Sequence, residues 1–157
     1  MSAEVSRFQS NAEVERIGAG LLARTLPGGE WTHAAHWAAA LWLMLRRTDL
    51  YPPRDLPGLI RAYNEALGNR NTEMSGYHET ITQASLRAAR HDLALAAAAA
   101  PLFEICNRAL ASELGRPDWL LRYWSKPELF SPEARRIWVG PDLANLPYPP
   151  YPALSEA

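Results

Sequence analysis

The stretch Trp31-Thr-His-Ala-Ala-His-Trp-Ala-Ala-Ala-Leu-Trp-Leu-Met-Leu-Arg-Arg47 decides the fold. After His36 it is apolar nearly all the way round at helical spacing, so it reads as one helix from about Trp31 or Thr32 to Arg47. A helix without a polar face has to be enclosed by neighbours, which makes this one the expected centre of a bundle. Thr32 suits its amino-terminal cap, and Glu30 suits the positive end of its dipole. The apolar run from Ala34 to Leu45 is interrupted by His36 and stops at Arg46-Arg47. It falls short of the roughly 20 apolar residues a membrane span needs.

Helical signals continue on both sides. Ser10-Asn-Ala-Glu13 has the form of a capping box, opening a helix from about Ala12 to Arg24 with Val14, Ile17, Leu21 and Leu22 on one face. Gly18 and Gly20 each weaken that helix by up to about 1 kcal/mol relative to alanine. Pro27-Gly28-Gly29 ends it, and Tyr51-Pro52-Pro53 breaks the chain after the central helix. Asp55 is the expected start of a third helix, with Pro57 in its first turn and Gly68 as terminator. Ser75 is the expected cap of a long fourth helix through Tyr77, Ile81 and Leu86, broken within Ala96–Pro101. A fifth is expected over Pro101–Leu114, with Leu102, Ile105, Cys106, Ala109 and Leu110 inward and Gly115 as its stop. Short helices should start at Pro117 and at Ser131-Pro132, and Leu146-Pro-Tyr-Pro-Pro-Tyr-Pro152 reads as polyproline II. No useful strand alternation occurs. The expectation is a single all-α domain over residues 1–157: a bundle of about five main helices, short carboxy-terminal helices and a proline-rich tail. Residues 1–9 and 147–157 are expected to be flexible or to wrap the body.

Composition narrows the function classes. The 157 residues carry 16 Lys+Arg against 17 Asp+Glu, a net charge of −1. That balance gives no electrostatic case for nucleic acid or an anionic membrane. The one cysteine, Cys106, allows no intramolecular disulfide and no cysteine-based zinc site within one chain. Met1 to Ser10 lacks the basic patch and apolar run of a signal peptide, so a cytoplasmic location is the expectation. Glycine-rich phosphate loops, Gly-x-Ser-x-Gly elbows, HExxH and calcium loops are absent from the sequence.

The chemistry concentrates on histidine. His33 and His36 are spaced i, i+3, so on a helix they share a face and both can reach one ion. His78, in Ser75-Gly-Tyr-His-Glu-Thr80, falls near another helix start and can supply a third ligand. Three imidazoles with an open position suit zinc, iron, manganese or nickel, the vacancy holding water. Glu79, or Glu30 a turn before His33, would then act as fourth ligand or as general base on that water. Against this stands a structural role: HxxH is a weak motif, and each imidazole can bond a backbone carbonyl instead. His91 reads as a surface residue.

Six tryptophans can wall an apolar pocket beside the histidines or anchor the core. Tyr63, Asn64 and Tyr77 are candidates for orienting a ligand, and Arg61 for meeting an anionic one, as are Arg70, Arg87 and Arg90. Cys106 reads as a small buried hydrophobe.

Trp31-Thr-His-Ala-Ala-His36, Ala62-Tyr-Asn-Glu65, Gly76-Tyr-His-Glu-Thr80 and Leu129-Phe-Ser-Pro-Glu-Ala-Arg135 occur in this order. Together they resemble a group of small, functionally uncharacterised bacterial all-α proteins. That resemblance spans Leu21 to Leu146 and implies no activity. A looser likeness is to DinB-type helical bundles, which implies a metal held by three histidines from different helices; here two of the three share one helix.

The sequence thus points first to a divalent-metal-binding protein with His33, His36 and His78 as ligands, a small hydrolase or lyase acting on a small polar molecule. The alternative is a non-catalytic helical binding or assembly protein, a homodimer with an aromatic interface. A third is a metal-free pocket for a small anion, with the histidines clustered near Arg61 or Arg70.

Overall fold

The apolar central stretch forms a helix over His33–Arg46, capped by the Thr32 hydroxyl, which accepts from the Ala35 amide at 3.2 Å. In the computed structural model, which describes residues 8–154, this helix is the second of seven. The order is α1 (Asn11–Ala23), α2 (His33–Arg46), α3 (Pro52–Ala66), α4 (Glu79–Leu95), α5 (Leu102–Leu110), α6 (Lys126–Leu129) and α7 (Pro132–Arg136). Single 3-10 turns lie at Gly28–Glu30, Glu113–Gly115 and Trp119–Arg122, and the described residues contain no strand. The protein is all-α.

Enclosure of α2 follows from its composition. It touches α1, α3, α4 and α5, and Ala35, Trp37 and every residue from Ala38 to Leu43 are buried. Each large apolar side chain so buried contributes roughly 2 kcal/mol. The alanines let neighbouring helices come close, and Gly18 does the same from α1. A Cβ at Gly18 would overlap the Trp42 indole. The glycine that costs α1 helix propensity is thus the residue that admits a tryptophan between α1 and α2.

Where a short helix is expected from Pro117, a 3-10 turn stands at Trp119–Arg122 and the helix starts at Lys126; three boundaries of the longer helices also differ from expectation. α3 begins at Pro52, before Asp55, because proline is well suited to a first turn and the Asp55 carboxylate reaches back to the Tyr51 amide at 2.7 Å. α4 is capped by His78, not Ser75; Ser75 instead closes a tight loop with Thr72, which donates its amide to the Ser75 carbonyl at 2.8 Å. α5 stops at Leu110, and the chain re-forms as a 3-10 turn in which the Ser112 hydroxyl accepts from the Leu114 amide. Gly68 does end α3, in a Schellman pair of bonds from Gly68 to Glu65 and from Asn69 to Asn64, each 2.9 Å.

The outermost described residues at both termini lie on the body. Asn107 brackets Phe8, accepting from its amide at 2.8 Å and donating to its carbonyl at 2.9 Å. In the proline-rich tail, Tyr148 packs edge-on against Trp119 and His91, and its hydroxyl donates to Glu113 at 3.2 Å. Tyr151 meets Tyr51 edge-on, and the Tyr51 hydroxyl donates to the Pro152 carbonyl at 2.7 Å. His91 is therefore half-buried beneath the tail. Residues 1–7 of the expected amino-terminal segment, and 155–157 of the tail, lie outside the described residues.

Candidate functional site

His33 and His36 open α2, and both line one cleft of about 470 Å³. Its walls come from the first turns of α2, from Leu56 and Ile60 of α3, from Ile81 to Leu86 of α4, and from a carboxy-terminal cover of Pro117–Leu121 and Leu129–Phe130. Trp31, Trp37, Trp119 and Phe130 are the aromatic carbocycles and indoles of that lining. The lining is mainly apolar, with the imidazoles, Thr82, Ser85 and Asp118 as its polar members. Asp118 pairs with Arg116 at 3.4 Å.

Hydrogen bonds fix the two tautomers. A carbonyl oxygen can only accept, so the 2.6 Å contact of His36 Nδ1 with Thr32 O places the proton on Nδ1 and leaves Nε2 a lone pair. The Trp31 ring tilts against this imidazole, 3.9 Å between centroids. His36 lines the cleft as an exposed residue, with protein packed closely around it. That desolvation is the main cause that pushes the His36 pKa below 6.5; the Thr32 bond opposes it and His33 adds to it. His33 Nε2 lies 2.7 Å from the Leu114 carbonyl, so Nε2 carries the proton and Nδ1 is the bare nitrogen. The Trp37 indole N–H, 3.1 Å from the same Nε2, finds no lone pair there.

His78 stands apart from that pair. It is buried at the start of α4, where its Nδ1 accepts from the Ile81 amide at 3.1 Å and its Nε2 donates to the Leu129 carbonyl at 2.7 Å. Both nitrogens are engaged. Burial, with a smaller contribution from Arg135, holds its pKa below 6.5 and keeps the imidazole neutral. Glu79 accepts from the Tyr77 hydroxyl at 2.5 Å and from the Gln83 amide at 3.5 Å. Among the described residues, no group of three or more His, Cys, Asp and Glu side chains stands where one ion could join them. Glu30 pairs with Arg16 at 2.6 Å.

The expected ligand-orienting residues divide. Tyr63 is fully buried, and its hydroxyl donates to the Leu26 carbonyl at 2.8 Å. Asn64 donates to the Asn71 side chain at 3.0 Å, and the same oxygen accepts from the Tyr77 amide at 3.0 Å, so this pair organises the 69–77 loop. Tyr77 and Arg61 line a second, smaller recess that contains none of the histidines. Burial, with the Glu79 bond second, raises the Tyr77 pKa far above the phenol range. Arg87 lies over the Trp138 ring at 4.2 Å. Cys106 is buried, and desolvation pushes its thiol pKa up to about 12, as befits an inert core residue.

Sequence reasoning missed Phe130 as a cleft wall and Arg135 and Arg136 as recess walls. Their signal is tertiary: these residues sit on short elements whose placement no periodicity announces. The chain matches no protein-family model, and neither a curated protein nor a solved structure shows a significant match to it.

Proposed function

We propose that the cleft binds a small, largely apolar planar molecule through one hydrogen-bond donor, accepted by His36 Nε2. The supporting observation is a neutral imidazole, anchored through Nδ1 and bare at Nε2, set beside three indoles in a cleft of about 470 Å³. Sites of this size with few polar groups suit small ligands: the apolar walls supply affinity and the polar group supplies orientation. Stacking and edge contacts with Trp31, Trp37 and Trp119 favour an aromatic ligand. The same lone pair is chemically able to take a proton from a bound donor. Among the described residues no second acid–base group is bonded to His36, which favours binding over catalysis.

Indole and 1-methylindole test this directly, since they differ in the N–H that His36 would accept. Calorimetry should show indole binding about fivefold more tightly to the wild type, the worth of one neutral hydrogen bond. His36→Leu should bind the two alike. Equal affinities in the wild type, or no binding of either, would sink the proposal.

A divalent-metal reading retains one supporting observation: His33 Nδ1 and His36 Nε2 are both bare nitrogens on one cleft. Elemental analysis of untagged protein beside His33→Ala and His36→Ala tests it. Stoichiometric metal in the wild type that both variants lose is the expected result under that reading.

A further inference from the structure

Arg16, Arg47, Arg54, Arg116 and Arg122 each form an ion pair with a carboxylate. Arg61, Arg135 and Arg136 are among the nine described arginines that form none, and these three line one recess of about 290 Å³ beside Tyr77. Glu73 is the one carboxylate on that lining, so the wall carries two net positive charges. Like charges gathered on a concave wall repel one another and concentrate anions from solution.

The wall is also held in place. The Arg61 guanidinium lies over the Tyr77 ring, 4.5 Å from its centroid, a cation–π contact that orients it. Arg135 donates through Nη1 to the Gly76 carbonyl at 2.9 Å, and its Nε is shielded from water without an acceptor. A charge so placed is under-compensated, and an anion in the recess would offset it. Beneath both, the loop is fixed by the Asn71 side chain and by Gly76, whose φ of 84° favours glycine.

We propose that this recess binds the phosphate group of a small soluble phosphate monoester. Guanidinium forks match phosphate oxygens, and a dianion balances the two net charges where a single carboxylate leaves one over. The volume sits at the lower end of ligand sites, which fits a small molecule. This site is independent of the occupant of the apolar cleft.

The test is calorimetric titration of the full chain with inorganic phosphate, and with chloride, at constant ionic strength. The wild type is compared with Arg61→Gln and with Arg136→Gln, an exposed position where a substitution should spare the fold. Saturable phosphate binding, absent with chloride and weakened about tenfold in Arg136→Gln, is expected. Absence of saturable binding, or equal affinity in wild type and both variants, would overturn the assignment. Binding only to phosphatidylcholine vesicles containing phosphatidate, lost in Arg136→Gln, would move the phosphate to a lipid headgroup and overturn the soluble ligand.

Discussion

Replacing His78 by alanine removes two interactions at once, and the structure allows their sum to be worked out. The first is the cap: Ile81 loses the acceptor for its amide at the start of α4, a loss of about 1 kcal/mol. The second is the bond to Leu129, whose carbonyl is left without its donor in a buried place, at about 2 kcal/mol. The total of about 3 kcal/mol corresponds to a melting temperature roughly 10 °C lower for a chain of this size. His78→Asn restores an oxygen acceptor for the cap but not the reach to Leu129, so it should recover about 1 kcal/mol. Urea and thermal unfolding followed by circular dichroism at pH 7.5 measures both variants. A loss under about 0.5 kcal/mol in the alanine variant, or an asparagine variant no better than alanine, would refute the capping argument.

The same residue sets a pH dependence. In the fold, desolvation holds His36 and His78 below 6.5, whereas in the unfolded chain they take up a proton at about 6.5. Their contribution is therefore fully present above 6.5 and is lost as pH falls from there through the folded values. Protonating His78 Nδ1 also turns the cap acceptor into a donor facing the Ile81 amide. Stability should fall on acidification below about 6.5, and His78→Asn should flatten part of that slope.

Gly76→Ala should cost about 2 kcal/mol or more, because φ is 84° and a Cβ would lie 2.6 Å from the Arg70 carbonyl oxygen; chemical denaturation checks it, and a neutral result would contradict the loop geometry. Deleting residues 147–157 removes the Tyr148 contact with Trp119, so indole affinity for the cleft and melting temperature should fall together; unchanged values of both would show that the tail supports neither.

The bundle was legible because its evidence is local. Ser10, Thr32 and Ser131 cap helices where their positions say they should, and the all-apolar stretch after His36 is enclosed as its lack of a polar face requires. Reading failed where a residue serves two possible roles. Tyr51-Pro52-Pro53 looks like a break, but proline also opens helices, and the deciding contact is the Asp55 carboxylate. Ser75 is of the usual capping type, yet the cap of α4 is the His78 imidazole. The site was half legible. The i, i+3 spacing does bring His33 and His36 to one cleft, because that rule is a property of a single helix. Where the third member would come from depends on tertiary placement, which spacing does not encode.

That placement rests on side chains at the start of α4. Beyond Gly115 no helix exceeds five residues, too few to position themselves by cooperative helix formation. Their location is instead set by bonds to backbone groups: His78 to the Leu129 carbonyl, Thr80 between the Ile137 carbonyl and the Val139 amide, and Arg135 to the Gly76 carbonyl. Leu129 and Phe130 are the outer wall of the apolar cleft, and Arg135 belongs to the wall of the basic recess. The junction of α4 with the carboxy-terminal segment thus builds part of both. A histidine bonded at both nitrogens is then not idle: it ties the start of α4 to the cover. Loosening it in His78→Ala should weaken indole binding in the cleft even though His78 is absent from its lining, and His78→Asn, which keeps the cap but not the Leu129 bond, should weaken it as much. If indole affinity instead tracks the cap and returns in the asparagine variant, the cover is held by its own packing and the junction argument fails.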